Sequence, residues 1–181
     1  MALHEVQRLG RLVRDLQELS RLEQGFPVVQ DRLDLGLMAR EVVERFRSRA
    51  EGVGVQLELS VGSAWIYGDR DRLTQVIANL LDNSLRYTPP GGKITVSVTS
   101  SANKALMTVK DTGKGIDPAH LQYIWESFYR ADPASKSNMG LGLTIVKRIV
   151  EAHGGTASAT SEAGKGAKVT IQIPLAEQNE V

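Results

Sequence analysis

Asn79 and Asn83 lie four residues apart in the stretch QVIANLLDNSLRY, residues 75–87, with Gln75 one turn before them and Arg86 just behind. Read as a helix, the stretch gathers these groups on one face and puts Leu73, Val76, Ile77, Leu80 and Leu81 on the other. Asparagine is a mediocre helix former, so a pair of them on a regular helix asks for a reason. An Asn amide offers a carbonyl oxygen to a hard cation and N–H donors to phosphate oxygens. Taken alone, the pair reads better as the polar side of a half-buried helix. The glycines downstream change that balance.

Three glycine clusters follow. In Asp111-Thr112-Gly113-Lys114-Gly115-Ile116 a carboxylate stands at a strand end beside a loop that lets backbone approach a flat ligand. An ionised Asp accepts and does not donate, which suits an exocyclic amine such as that of adenine. Gly140-Leu141-Gly142-Leu143 directly precedes a helical pattern, so its backbone N–H groups and the helix N-terminus would face an anion. Gly164-Lys165-Gly166 by itself is a hairpin turn. The dinucleotide fingerprint and the Walker A motif are both absent.

The elements that must position these groups follow from periodicity and breakers. Residues from about Leu3 to Gln24 read as one long helix, with an apolar seam through Leu9, Leu12, Leu16 and Leu19 widened by Val6, Val13 and Leu22. Gly25 and Pro27 end it, and the domain boundary is placed there, giving 1–26 and 27–181. A short strand from Asp31 leads to a helix from about Leu37 to Ala50, then to an alternating strand at 55–61 and a brief extended piece at 65–67. Asp69 is a plausible N-cap for the Asn helix, and Pro89-Pro90-Gly91-Gly92 stops it. Two antiparallel strands follow at 94–98 and 105–109, then a short helix from Pro118 to about Trp125. Arg130 to Met139 has no periodicity and reads as a mobile loop. A helix from about Leu141 to Ala152 and a closing hairpin, 156–161 with 168–175, complete the pattern, with a frayed polar tail from Ala176. This mixture predicts an α+β fold, a two-layer sandwich with helices on one face of a mostly antiparallel mixed sheet, preceded by the long N-terminal helix.

Bulk properties exclude several classes. With 22 basic against 21 acidic residues and a net charge of +1, there is no electrostatic case for nucleic acid. No cysteine is present, so no disulfide framework and no thiolate metal site exist, and a reducing, cytoplasmic setting fits. Met1-Ala2 opening straight into a helical pattern suggests a piece of something longer.

Taken in order, an N-x-x-x-N helix, then D-T-G-K-G-I, F-Y-R, G-L-G-L and G-K-G before a terminal strand resemble the catalytic ATP-binding domain of sensor histidine kinases. That domain belongs to the superfamily shared with gyrase and the mismatch-repair ATPases. The resemblance covers about residues 31–175, and LGRLVRDLQELSRLE resembles the second helix of the kinases' dimerisation hairpin. It implies ATP and Mg²⁺ held between the helical layer and a flexible lid. By position, Asn83 matches the Mg²⁺ ligand and Asn79 a residue of the phosphate and metal shell. Arg86 matches the basic group that reaches the phosphates, and Tyr87 the residue packing near adenine. Asp111 matches the acid that reads adenine, with Gly113, Gly115 and Ile116 shaping its slot. Phe128, Tyr129 and Arg130 resemble the box flanking the lid, Arg130 reaching the γ-phosphate, and Gly140, Leu141, Gly142 and Leu143 resemble the hinge and phosphate loop. The catalytic positions so implied are Asn79, Arg86 and Arg130.

In the hydrolysing relatives a Glu four residues before the metal-binding Asn activates water. Here that position is Asn79, which cannot act as a base, and this favours transfer to a protein side chain. Ala167 stands where the family often has a Thr that supports adenine through water, a loss of about 1 kcal/mol. The family's phosphoacceptor box is absent, and His4-Glu5 is followed by Val-Gln-Arg-Leu on the wrong helix. The chain is therefore expected to act on a histidine hairpin lying elsewhere, with relay to a response-regulator aspartate and a homodimeric parent protein. A gyrase-like hydrolysing clamp and a non-catalytic dimerisation scaffold are the alternatives. His120 and His153 are expected to be a surface residue and a helix-end residue, and Lys114 and Lys147 solvated charges.

Overall fold

The computed structural model describes residues 29–131 and 140–177, together with Val6, Gly10, Val13, Leu16, Gln17 and Ser20. These six are helical and exposed, Val6, Val13 and Leu16 among them with their apolar side chains in solvent. The rest of the helix expected at 3–24, His4, the 132–139 part of the expected lid and residues 178–181 lie outside the described residues.

Strand β1 (Asp31–Asp34) runs directly into helix α1 (Leu35–Gly52). The helix starts two residues before the expected Leu37, because Asp34 both ends the strand and caps the helix. Its Oδ1 accepts from the N–H groups of Gly36 at 2.9 Å and Leu37 at 3.4 Å. The same carboxylate takes the Ser63 hydroxyl at 2.8 Å and the Ala64 N–H at 3.2 Å. Burial works against ionisation of Asp34, but these hydrogen bonds outweigh it and hold the carboxyl below the ordinary carboxylate range.

Strands β2 (Gln56–Val61) and β3 (Trp65–Gly68) lead to helix α2 (Arg70–Tyr87), the Asn helix, capped by Asp69 as expected. Then come β4 (Lys93–Ser101), β5 (Lys104–Asp111), the short α3 (Pro118–Leu121), α4 (Gly142–Ala152), β6 (Thr156–Glu162) and β7 (Gly166–Pro174). The short helix stops at Leu121 and turns carry the chain on, so the expected extension to Trp125 is not helical.

Five strands form one sheet in the order β2-β4-β5-β7-β6, antiparallel except for β2 beside β4. A parallel neighbour needs a crossover, and β3 with α2 provides it. Strand β3 itself pairs with β1 in a separate two-stranded ribbon. Alternation sorts the sheet faces. Ile94, Val96, Val98, Ala105, Met107, Val109, Ile171 and Ile173 turn toward α1, α2 and α4 and form one core with their apolar stripes.

His153 closes this core as a clip and not as a plain helix end. It is buried just past α4, its Nδ1–H donates to the Ile149 carbonyl at 2.7 Å, and its Nε2 accepts the Asp69 N–H at 3.0 Å. One ring therefore joins the end of α4 to the cap of α2. Replacing His153 with Ala strands the Asp69 N–H and opens a hole beside Gly68, so we expect the variant to lose about 2–3 kcal/mol in chemical denaturation.

Candidate functional site

Between α2, the end of β5 and the start of α4 lies an open cavity of about 950 Å³, mouth included. Its walls are mainly apolar, from Leu80, Ile116, Ile124, Leu143 and Val169, with a few polar groups converging.

Asp111 lies on the wall where β5 ends, buried, with its strand paired to β4 on one side. Its Oδ1 accepts the Gly113 N–H at 2.9 Å and the Ala167 N–H at 3.2 Å. These bonds leave Oδ2 for a ligand, with the Ser84 hydroxyl 3.5 Å from it. Burial pushes the Asp111 carboxyl up from its ordinary range, against the opposing pull of these donors. Ala167 thus lacks the family's hydroxyl but still contributes through its backbone.

The other wall is the polar side of α2. Asn83 and Tyr87 line the cavity. Asn79 does not line it, and its Nδ2 donates instead to the Gly142 carbonyl at 3.4 Å, tying α2 to the start of α4. Arg86 lies in the last turn of α2, also outside the lining. Gly113 backs Asp111, and Gly115 and Ile116 enter the lining.

Gly140, Gly142 and Leu143 close the third side, while the Leu141 side chain is buried in the core. Helices α1, α2 and α3 are each capped by an aspartate, Asp34, Asp69 and Asp117. Helix α4 has Leu141 at that position and no side-chain cap. Among the described residues, the N–H groups of its first turn have no side-chain acceptor, and Gly142 and Leu143 bring them to the cavity as a ready anion seat.

Tyr129 and Arg130 line the cavity from the segment that leads into residues 132–139. The two ends of that segment are pinned together: the Phe128 N–H donates to the Gly140 carbonyl at 3.0 Å. Gly140 has φ of +72°, and a Cβ there would fall 2.4 Å from the Tyr129 carbonyl. Phe128 is a non-glycine residue at φ of 67° and exposed, local strain of the kind that collects beside binding sites. The Tyr129 hydroxyl contacts His120 Nδ1, so His120 is half-buried in this cluster and not a free surface residue.

Two polar lining residues were not anticipated. Ser84 continues the apolar stripe of Leu73, Val76, Ile77, Leu80 and Leu81, and a hydroxyl on a buried stripe needs a partner, which was the available signal. Lys114 is exposed, as expected, but also lines the cavity, with its ammonium 5.1 Å from the centre of the Tyr87 ring. Lys147 is an exposed partner of Glu151, as expected. Among the described residues there is no group of three or more His, Cys, Asp or Glu able to hold a metal, and no helix long and apolar enough to cross a membrane.

Comparison with known proteins agrees with this geometry. The family model described as histidine kinase-, DNA gyrase B-, and HSP90-like ATPase matches residues 68–177. The sensor protein SrrB of Staphylococcus aureus is 36% identical over 183 residues, an alignment covering 98% of this chain and 31% of SrrB. The chain thus spans about a third of that relative. Among solved structures, full-length ShkA in complex with AMPPNP superposes with a TM-score of 0.87 at 29% identity, over 97% of this chain and 38% of that one. The Acinetobacter baumannii histidine kinase AdeS gives 0.80 at 28% identity, over 97% and 82%, and the mycobacterial sensor histidine kinase MprB 0.73 at 29% identity, over 81% and 98%. The chain belongs to the family of histidine kinase-, DNA gyrase B- and HSP90-like ATPases, as a catalytic domain of the sensor histidine kinase type.

Proposed function

We propose that residues 27–181 bind Mg·ATP and transfer its γ-phosphate to a histidine on a hairpin outside this chain, from which it passes to a response-regulator aspartate. The observation that carries this reading is one cavity whose lining joins two kinds of group. It offers the Asp111 Oδ2 acceptor in an apolar slot, and the Asn83 amide near the uncapped start of α4. An adenine amine fits the first and a polyphosphate the second. ShkA was solved with AMPPNP, which supports a nucleotide in the corresponding place.

Mg²⁺ fits these residues, because it commonly takes one or two protein oxygens and fills its shell with phosphate and water. Asn83 would hold it through its side-chain oxygen, with Asn79 in the surrounding shell. Bound there, it would supply positive charge that offsets the charge of the phosphates. The chain's own groups do the rest. Asp111 orients the purine, the first-turn N–H groups of α4 hold phosphate oxygens, and Arg86 and Arg130 stabilise charge on the transferred group. The incoming imidazole nitrogen bonds to the γ-phosphorus as the bond to the bridging oxygen breaks, and ADP leaves. Asn79 offers no base for water, which favours this acceptor over hydrolysis. The helix at 1–26 is read as the second helix of the dimerisation hairpin, and the parent protein as a homodimer.

The test mixes this chain with a separate hairpin domain bearing the acceptor histidine, using ATP labelled in its γ-phosphate. Label should appear on the hairpin and not on this chain, and Asn83→Ala should cut the rate by about 100-fold or more. Phosphate released at the same rate with and without the hairpin would overturn the reading in favour of a hydrolysing clamp.

A further inference from the structure

We propose that Ser84 is a second purine-reading group, its hydroxyl donating, directly or across one water, to the ring nitrogen beside the exocyclic amine. This rests on the reading that the cavity holds ATP. Ser84 is buried on α2, lines the cavity, and points its Oγ to within 3.5 Å of Asp111 Oδ2. That spacing is long for a hydroxyl on a carboxylate, so the proton is weakly held.

Among the described residues, no other serine or threonine lines the cavity. Thr88 Oγ1 donates to the Ser84 carbonyl at 2.7 Å, and Thr112 Oγ1 accepts the Lys93 N–H at 2.9 Å. Ser161 Oγ donates to the Gly166 carbonyl at 2.7 Å and accepts the Ile116 N–H at 2.7 Å. Ala167 has a methyl group where a hydroxyl could have stood, and gives only its N–H to Asp111. Ser84 is therefore the aliphatic hydroxyl that the lining sets beside Asp111.

An acceptor oxygen beside a hydroxyl donor matches one edge of one kind of purine. A 6-aminopurine presents an N–H donor next to a ring-nitrogen acceptor. A 6-oxopurine presents a carbonyl next to a ring N–H, which sets oxygen against the carboxylate, while the hydroxyl can turn to accept the ring N–H. Asp111 thus rejects the 6-oxopurine, and Ser84 adds a second contact to adenine that replaces what Ala167 lacks.

The test measures binding of ATP and of 1-deaza-ATP, in which that ring nitrogen is C–H and the amine is kept, to the wild-type chain and to Ser84→Ala. Thermal denaturation of both confirms that they are folded. The wild type should bind the deaza analogue about 10-fold more weakly than ATP. Ser84→Ala should bind ATP about 10-fold more weakly than the wild type and should not distinguish the two nucleotides. Equal binding of both nucleotides by the wild type, or an undiminished preference for ATP in Ser84→Ala, overturns the role of Ser84 and leaves the site standing. Failure of the wild type to bind ATP at all overturns the site itself.

Discussion

Asp111→Asn should lower ATP affinity by more than about 100-fold while leaving the fold as stable as before, or more so. The Asn oxygen can still take the N–H groups of Gly113 and Ala167, so the loop keeps its anchor. What changes is the atom facing the ligand: an NH₂ replaces Oδ2, and two donors then oppose each other. The stability side follows from the carboxyl being pushed up by burial. A raised folded-state value means that Asp111 contributes stability below its unfolded value and loses it as pH rises through the folded one. At neutral pH the ionised group is a net cost, which Asn removes. The two proteins should converge in melting temperature as pH falls through the Asp111 titration, and ATP affinity of the wild type should fall over the same interval. Calorimetry with and without ATP reads both. Equal loss of affinity and of melting temperature would instead mark Asp111 as a purely structural residue.

Gly113→Ala should abolish detectable nucleotide binding and cost about 1–3 kcal/mol of stability. A Cβ there would sit 2.3 Å from the Tyr87 carbonyl oxygen and 2.9 Å from Asp111 Oδ1. Neither neighbour can yield cheaply. Tyr87 O accepts the Lys114 N–H at 3.2 Å, and the Asp111 oxygen is held by two backbone donors. The added methyl wedges the end of α2 away from β5, the two walls that bracket the slot. Gly52→Ala is the matched control. Its Cβ would meet nothing within 4 Å at the end of α1, so it should be neutral or slightly stabilising. Denaturant midpoints and a nucleotide titration on both variants separate crowding from a general effect of losing a glycine.

Much of the site was readable because its chemistry is local. Asp111 and its glycines lie within six residues, and the Asn pair declares itself by spacing on one helix. What could not be read is what depends on partners far along the chain. Ser84 looks like one more position on an apolar stripe until β5 brings Asp111 within reach, 27 residues later. Lys114 is solvated as expected, but its contact with the Tyr87 ring depends on the fold. Alternation at 56–61 identifies a strand but not its neighbour, and so gave no hint of the parallel pairing with β4 or of the separate β1–β3 ribbon. Asp34 falls within the stretch expected as a short strand, and its task as a cap needed the geometry of the turn. His153 likewise required Asp69, 84 residues away, to become a clip.

The slot around Asp111 is finished by β7, the last strand among the described residues. Asp111 receives one of its two anchoring donors from Ala167, 56 residues downstream, and Gly166 lies so close that a Cβ would be 1.9 Å from the Asp111 carbonyl oxygen. During synthesis, the hairpin of β4 and β5 can form on the ribosome well before β7 leaves the exit tunnel. A nascent chain at that stage carries the aspartate without its full socket. Cellular nucleotide therefore cannot steady an unfinished molecule. Its stabilising pull, which grows with the logarithm of concentration over dissociation constant, starts only when translation has delivered the final strand.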